Sequence, residues 1–167
     1  VRELPSEFRS VCEVVEVALP LLPEWLTSVN SVEASNAQPS EATPEWLESI
    51  RESVEAREPT VTIITEVMES LAWELNFDRV LLLLANPAKT ALLGRMAVGN
   101  KVVGDPKQIV RPLGRGAQMD APENLAFTSQ IPVMTGKPIY EGAQECVAIP
   151  IGTGSRTIGV IYADRVT

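Results

Sequence analysis

The segment from residue 145 to the end of the chain places the tightest limit on the fold. Two runs rich in β-branched residues, Cys146–Ile151 and Thr157–Ala163, flank a turn that contains Gly152 and Gly154, and this arrangement predicts an antiparallel hairpin. Both faces of the second run carry apolar or small side chains, so we expect that strand to lie inside a sheet. Pro150 cannot donate a ladder hydrogen bond, which predicts either an edge position for the first strand or a Pro150 nitrogen on a side without a partner.

Upstream of the hairpin, apolar residues at helical spacing predict three helices, over 6–19, 44–57 and 60–76. The second opens with the threonine, proline and glutamate of 43–45, which we interpret as an N-cap, a proline at the first helical position and an acid near the positive end of the helix dipole. The third helix carries two apolar stripes. The longer, expected to cover the sheet, is Val61, Ile64, Met68, Leu71 and Leu75; the shorter, expected to meet the N-terminal helices or another subunit, is Ile63 and Val67.

The chain that follows the third helix predicts a second hairpin. The run 78–85 is almost entirely apolar and too short for a typical helix, the turn residues Asn86 and Pro87 follow it, and residues 90–98 form the next strand. Strands joined by such short turns pair antiparallel. Together the two hairpins predict an antiparallel sheet with helices packed on one face, which is an α+β arrangement.

Residues 99–138 link the two hairpins and contain less regular structure. Asp120 and Glu123 have the spacing of a capping box, with Asp120 as the N-cap of a short helix that ends before Pro132. A tight passage then leads to a short strand predicted at Ile139 and Tyr140.

Charge is unevenly distributed along the 167 residues, whose formal net charge is −8. Residues 1–60 hold 12 acids and 4 bases, whereas residues 61–167 hold 10 of each. The acidic N-terminal part is therefore not expected to bind nucleic acid.

No run approaches the roughly 20 apolar residues of a membrane span, and residues 1–27 lack the pattern of a signal peptide. Two widely separated thiols, Cys12 and Cys146, fit buried positions in a reduced cytoplasmic protein.

The residue inventory limits the chemistry that this chain can perform. Because the sequence contains no histidine, it offers no Ser-His or Cys-His nucleophile pair and no histidine-containing zinc site, and we expect neither enzymatic activity nor a cofactor. Gly114-Arg115-Gly116 is either an anion-binding turn or a plain turn. Asp105 is the only nearby acid within a basic stretch that fits either a small anionic ligand or a solvated loop: Arg95, Lys101, Lys107, Arg111 and Arg115.

Residues 60–167 resemble a GAF domain, a sensory module related to PAS domains. The similar pieces are the helix that leads into ITEVMESLAWELNFDRVLLLLANPAKTALLGRMAVG, the segment TGKPIY and the final VAIPIGTGSRTIGVIYAD. The resemblance implies an antiparallel sheet with a small-molecule pocket closed by the loop 99–130. It also suggests that residues 1–58 are a linker or the end of a preceding HDOD domain in a bacterial signalling protein. The residues with which related domains bind haem, bilins or cyclic nucleotides have no counterpart here.

These inferences predict a non-enzymatic sensory or regulatory domain with two parts, an acidic helical segment or linker over 1–58 and a GAF-like domain over 59–167. A homodimer or a partner signalling domain is expected to contact the N-terminal helices. The alternative is a GAF-like module without a ligand that only dimerises or binds another protein. Three tryptophans, Trp25, Trp46 and Trp73, are interpreted as packing anchors. The predicted pocket residues are Arg95, Arg111, Arg115, Asn124 and Phe127.

Overall fold

The computed structural model describes residues 43–153 and 156–166. The predicted helix 6–19, Cys12 and Trp25 lie outside these residues. Within the described residues, three α-helices and five strands follow one another, with two 3₁₀ turns in the linker, at Pro106–Gln108 and Gly114–Gly116. Their bounds are α1 Glu45–Glu55, α2 Thr60–Trp73, β1 Arg79–Ala85, β2 Ala91–Val98, β3 Val110–Pro112, α3 Pro122–Ser129, β4 Ala143–Thr153 and β5 Arg156–Val166. No helix in the described part of the chain is long and apolar enough to cross a membrane.

The five strands form one antiparallel sheet in the order β3-β2-β1-β5-β4. The predicted α+β fold class is confirmed, and so are both predicted hairpins. β5 lies between β1 and β4, as its two apolar faces indicated. Pro150 lies on β4, the last strand of the sheet, opposite Val160. Pro150, which has no N–H to donate, thus lies in a strand at the edge of the sheet, as expected.

Alternation along the strands divides the core into two layers. On β1 and β5, Val80, Leu82, Ile161 and Ala163 join a cluster that also contains residues of α1 and α2, and we call this side the helix face. The opposite side carries Leu81, Leu83, Val160 and Tyr162, which cluster with residues of α3 and the 99–142 linker, and we call it the loop face. The two long helices and the short helix therefore lie on opposite sides of the sheet. The prediction that the helices pack on one face is thus wrong for α3, which lies with the linker on the loop face.

Helix α2 packs on the helix face mainly through Met68 and Leu71, both fully buried. Val67 of the shorter stripe is also buried, in the same cluster as Leu47 and Ile50 of α1 and the residues of the sheet. The assignment of Val61 to the longer stripe is wrong, since its side chain is 73 % exposed. Val61 lies in the first turn of α2, where the helix has not yet reached the sheet.

A β-bulge in β2 changes which residues face each side. Leu82 pairs with Met96 and Leu83 pairs with Gly94, so Arg95 has no opposite residue on β1. Before the bulge Leu92 lies on the loop face, and after it Met96 packs on the helix face. The extra residue thus reverses the alternation, as expected from the two-residue repeat of a strand.

The linker between the hairpins contains a strand that the sequence did not predict. β3 pairs with β2 through Ala91–Pro112, Leu92–Arg111 and Leu93–Val110. The predicted strand at Ile139 and Tyr140 is absent, because the Ile139 N–H donates to the Tyr162 hydroxyl at 3.1 Å and not to a neighbouring strand. Two to three pairs of residues are too few to leave a periodic signal in the sequence.

The predicted helix caps are also wrong. α1 begins after Pro44 and α3 begins after Ala121, and neither cap residue makes a side-chain hydrogen bond to its helix. Thr43 therefore lies one residue too early to be the N-cap of α1. Glu123 does not close a capping box with Asp120, because its carboxylate is buried and accepts a hydrogen bond from Arg111.

Candidate functional site

An ion pair between β3 and α3 lies under the linker on the loop face. Pairing of β3 with β2 holds Arg111 opposite Leu92, and Pro122 at the start of α3 places Glu123 in the first helical turn. Arg111 Nε donates to Glu123 Oε1 at 2.6 Å. The Glu123 side chain is 1 % exposed, whereas that of Arg111 is 22 % exposed. The pair therefore extends from the solvent edge of the linker into the interior.

This pair leaves buried hydrogen-bonding capacity unused. Glu123 Oε2 and Asn124 Oδ1 are both buried and have no partner among the described residues. The Arg111–Glu123 contact also uses only the Nε group of the guanidinium. A buried acceptor without a hydrogen bond costs roughly 1–3 kcal/mol, and more when it is charged. Such atoms need a hydrogen-bond donor from outside the described residues, for example from a water molecule or a ligand.

A second polar network connects β1 and β5 on the same face. Arg79 donates to Asp164 through Nε at 2.7 Å and through Nη2 at 2.9 Å, and the Tyr162 hydroxyl donates to Asp164 Oδ2 at 2.8 Å. The Arg79 guanidinium also lies 4.5 Å from the centre of the Tyr140 ring. These contacts anchor the end of the linker, because Tyr140 and its neighbour Ile139 both join the network. Among its members, every carboxylate oxygen has a donor.

Cys146 lies opposite Asp164 on the neighbouring strand and is buried. Burial raises the pKa of its thiol to about 11, and the negative charges of Asp164 and Glu123 add to this effect. Burial also raises the pKa of the Tyr162 phenol, followed by the charge of Asp164. Both groups are therefore protonated at neutral pH, and Cys146 is a poor nucleophile because thiolate is the reactive form.

The structure places three of the predicted pocket residues on neighbouring elements of the loop face. Arg111 and Asn124 lie at the two neighbouring elements just described, and Phe127 is partly buried against the loop-face cluster. Arg95 is exposed at the β2 bulge, where it has no opposite residue on β1. Arg115 lies in the 3₁₀ turn Gly114–Gly116, and its side chain is outside the described part.

The basic stretch is less positive than its own sequence indicates. Asp105 was expected to be its only acid, but Glu123 neutralises Arg111, and Asp78 contacts Lys101 with a 3.3 Å separation between Nζ and Oδ1. Hydrogen bonding to the Val166 N–H is the main cause that lowers the pKa of Asp78, and Lys101 contributes. Acids from distant parts of the chain thus offset two of the five charges.

Sequence reasoning missed the most buried polar residues of the site. Glu123 looked like a capping residue, and no feature of its immediate sequence distinguishes that role from an inward-facing one. Arg79 and Asp164 did leave a signal, since each is a charged residue on the edge of an almost wholly apolar strand. Such charges are seldom buried without a partner. In the described residues no group of three or more potential metal ligands is close enough to hold a metal ion.

No protein-family model and no curated protein matches this sequence. Among solved structures, residues 122 to 287 of a methyl-accepting chemotaxis protein align with a TM-score of 0.51 and 22 % identity, covering 70 % of this chain and 76 % of that one. The GAF domain of a Coxiella burnetii phosphoenolpyruvate-protein phosphotransferase aligns with a TM-score of 0.55 and 14 % identity, covering 73 % and 76 %. Free methionine-R-sulfoxide reductase from Neisseria meningitidis aligns with a TM-score of 0.55 and 18 % identity, covering 80 % and 81 %. At these identities the similarity establishes one thing about the chain, which is that its fold is GAF-like.

Proposed function

We propose that this chain is a non-enzymatic sensory or regulatory domain of a bacterial cytoplasmic signalling protein, which binds a small molecule on the loop face. The observation that carries the proposal is the buried Glu123 carboxylate, which is held by Arg111 and keeps one oxygen without a partner. The names of the chemotaxis and phosphotransferase proteins that share this fold are consistent with a regulatory role. The proposed binding residues are Arg95, Arg111, Arg115, Asn124 and Phe127.

The proposed signal travels through the sheet to the opposite layer. A molecule under the linker contacts α3 and the loop-face side of β5, whose other side packs under α1 and α2. A molecule that prefers one arrangement of the linker shifts the population of the whole domain toward it. The receiver of the signal is a second subunit or a partner domain that contacts the N-terminal helices, for which the resemblance suggests an HDOD domain. The acidic helical segment 1–58, of which α1 packs on the helix face, then forms the connection to that partner.

Native mass spectrometry of the whole chain, purified from its own host, tests the binding step. We expect a retained small-molecule mass that is lost in Arg111→Ala and kept in Arg51→Ala, a matched change at an exposed arginine of α1. Hydrogen exchange of α1 and α2, measured with and without the retained molecule, tests the transmission step. Two results together would contradict the sensory function. The wild-type chain would carry no small molecule when freshly isolated from the host, and no host extract would change the hydrogen exchange of α1 and α2.

The proposal excludes the reaction named for one of the structures with this fold, the reduction of free methionine-R-sulfoxide. Two observations support the exclusion: Cys146 is the only cysteine between residues 43 and 166, and its raised pKa keeps it as the unreactive thiol. We expect no turnover of free methionine-R-sulfoxide in the presence of a thiol reductant. Turnover that disappears in Cys146→Ser would establish an enzyme and remove the proposal.

A second candidate function is a ligand-free interaction module. It is favoured by the large apolar side chains that fill the space on the loop face, among them Leu81, Leu83, Leu92 and Tyr162, all fully buried. It is also favoured by Trp73 on α2, which is 49 % exposed and so does not anchor the core as predicted, unlike Trp46, which packs against it. For this module, we expect an empty dimer that dissociates in Trp73→Ser. A retained small molecule would decide for the sensory domain.

A further inference from the structure

The polarity of the unused atoms on the loop face specifies the chemistry of the molecule that binds there. We infer that the site between β3 and α3 recognises an amide-type edge, which is a neutral group that offers N–H donors beside a carbonyl acceptor. This inference rests on the proposed function and names the class of ligand for it. It departs from the small anionic ligand that the basic stretch of the sequence indicated.

Two consecutive residues of α3 each carry a buried acceptor, and Glu123 Oε2 is the one on a side chain held by Arg111. Glu123 Oε2 belongs to a side chain that is 1 % exposed, and Asn124 Oδ1 is buried as well. A carboxylate oxygen and an amide oxygen can only accept hydrogen bonds. A ligand that satisfies them must therefore supply N–H or O–H donors. An anion without donors would instead place negative charge beside the Glu123 carboxylate, which is unfavourable in a buried site.

The donors come from Arg111. Its Nε is used by Glu123, while its two terminal nitrogens form no hydrogen bond within the described residues. A guanidinium has five N–H donors in a fixed plane, so a carbonyl oxygen of a ligand can accept from this side. Arg111 is also the more exposed partner, at 22 %, so the donor side of the pair lies closer to solvent than the acceptor side.

Charge favours a neutral ligand over either ion. Arg111 and Glu123 cancel each other, and the neighbouring Arg79 and Asp164 form a second neutral pair. A cation could donate to the acceptors, but its charge would be repelled by the Arg111 guanidinium. An anion could accept from the guanidinium, but its charge would be repelled by the Glu123 carboxylate. An amide places its donor and its acceptor on the matching partners without adding a net charge. Specific polar pairing of this kind discriminates strongly, because a wrong ligand leaves buried groups unpaired.

Three probes of nearly equal size separate these classes: propionamide, propylammonium and propionate. Each is titrated to about 100 mM into the whole, folded, ¹⁵N-labelled chain, because fragments of this size bind in the millimolar range. The readout is the chemical shift of the backbone amides of Arg111, Glu123 and Asn124. We expect saturable shifts with propionamide and an apparent Kd at least about 10-fold weaker for the two ions.

Glu123→Gln tests the assigned atoms without removing volume. The glutamine oxygen keeps the hydrogen bond from Arg111, so its NH₂ group replaces Oε2 and turns an acceptor into a donor. Propionamide binding should weaken about 10-fold or more. Glu66→Gln is the matched control, because Glu66 also has a buried oxygen without a partner but lies on α2, on the opposite side of the sheet. It should leave the Kd unchanged, and Asn124→Ala, which is expected to fold normally at a half-buried position, should weaken it several-fold.

Tighter binding of propionate would overturn the inference in favour of an anion site, and tighter binding of propylammonium would overturn it in favour of a cation site. In both cases the sensory function would stand. No saturation by any probe would also overturn it, since water would then satisfy Glu123, while a mass retained in native mass spectrometry would still support the function. Equal weakening in Glu123→Gln and Glu66→Gln would overturn the assignment of the atoms. 2-Pyridone, with the same edge in a ring, distinguishes a cyclic source from an open-chain amide by the tighter Kd.

Discussion

The two faces of the central sheet are built from the same strands but hold together by different means. On the helix face, the described residues include no buried charged side chain, and apolar side chains such as Val80, Met68 and Leu71 carry the packing. On the loop face, apolar residues are interrupted by the Arg79–Asp164 and Arg111–Glu123 pairs. In this domain, apolar packing stabilises one face of the sheet, whereas the polar groups suited to recognition lie on the other face. Apolar packing is insensitive to direction, whereas buried polar groups must meet matching partners.

The largest expected effect tests the buried network of the loop face. Asp164→Ala leaves Arg79, which is 7 % exposed, as a buried charge without its partner, and should lower the free energy of unfolding by about 3–5 kcal/mol. Urea denaturation measures the change. The control is the double variant Arg79→Met with Asp164→Leu, which removes both charges and should recover much of the loss. A loss below about 1 kcal/mol in Asp164→Ala would show that the network contributes little to stability.

The corresponding test on the helix face is Leu71→Ala. Leu71 is fully buried, and the cavity left by the substitution should lower the free energy of unfolding by about 2–5 kcal/mol. Because no polar group is exposed by this change, the affinity for any loop-face molecule should stay the same when it is measured well below the melting temperature. A changed affinity with intact secondary structure would mean that the two faces are coupled more tightly than their packing indicates.

Alkaline pH should destabilise the domain through the loop face alone. The pKa of Cys146 is raised from 9.0 to about 11, and that of Tyr162 is raised from 10.0. Below the pKa values of the unfolded chain, both groups are protonated in the folded and the unfolded state, so their contribution to the free energy of unfolding is fully present. As the pH rises above those values, the unfolded chain releases protons that the folded chain retains, and this contribution is lost. Stability should therefore fall by about 2–3 kcal/mol between pH 9 and pH 11.

Urea denaturation at several pH values measures this loss, and Tyr162→Phe and Cys146→Ala should each make the dependence less steep. The variant Leu71→Ala should keep the wild-type slope despite its lower stability. If the stability of both loop-face variants fell with pH as steeply as that of the wild type, Cys146 and Tyr162 would not be the cause of the pH dependence.

The smallest expected effect concerns Arg95→Ala. Arg95 is exposed at the β2 bulge, so the free energy of unfolding should change by no more than about 0.5 kcal/mol. If Arg95 belongs to the proposed binding residues, the retained small molecule should nevertheless bind more weakly by native mass spectrometry. An unchanged affinity would remove Arg95 from the site, and a large loss of stability would show that the bulge depends on its side chain.

Most of the elements were predictable because their signals are local. The runs 78–85 and 157–163 are almost wholly apolar, which identified both as strands and the second as an inner strand. Pro150 similarly indicated the edge. The bulge at Arg95 was not predictable, since one extra residue becomes visible only against the register of β1. β3 was missed for a related reason: its three residues gain their regular structure from pairing with β2.

By itself, the sequence determined the antiparallel α+β architecture, because periods of two and 3.6 residues depend only on which neighbouring side chains share a face. The tertiary structure decided which charges meet. Arg111 and Glu123 are 12 residues apart, and Arg79 and Asp164 are 85 residues apart, so neither pair is encoded by a local pattern. Strand register and the placement of α3 bring these partners within hydrogen-bonding distance, and that distance determines whether a charge is solvated, paired or available to a ligand.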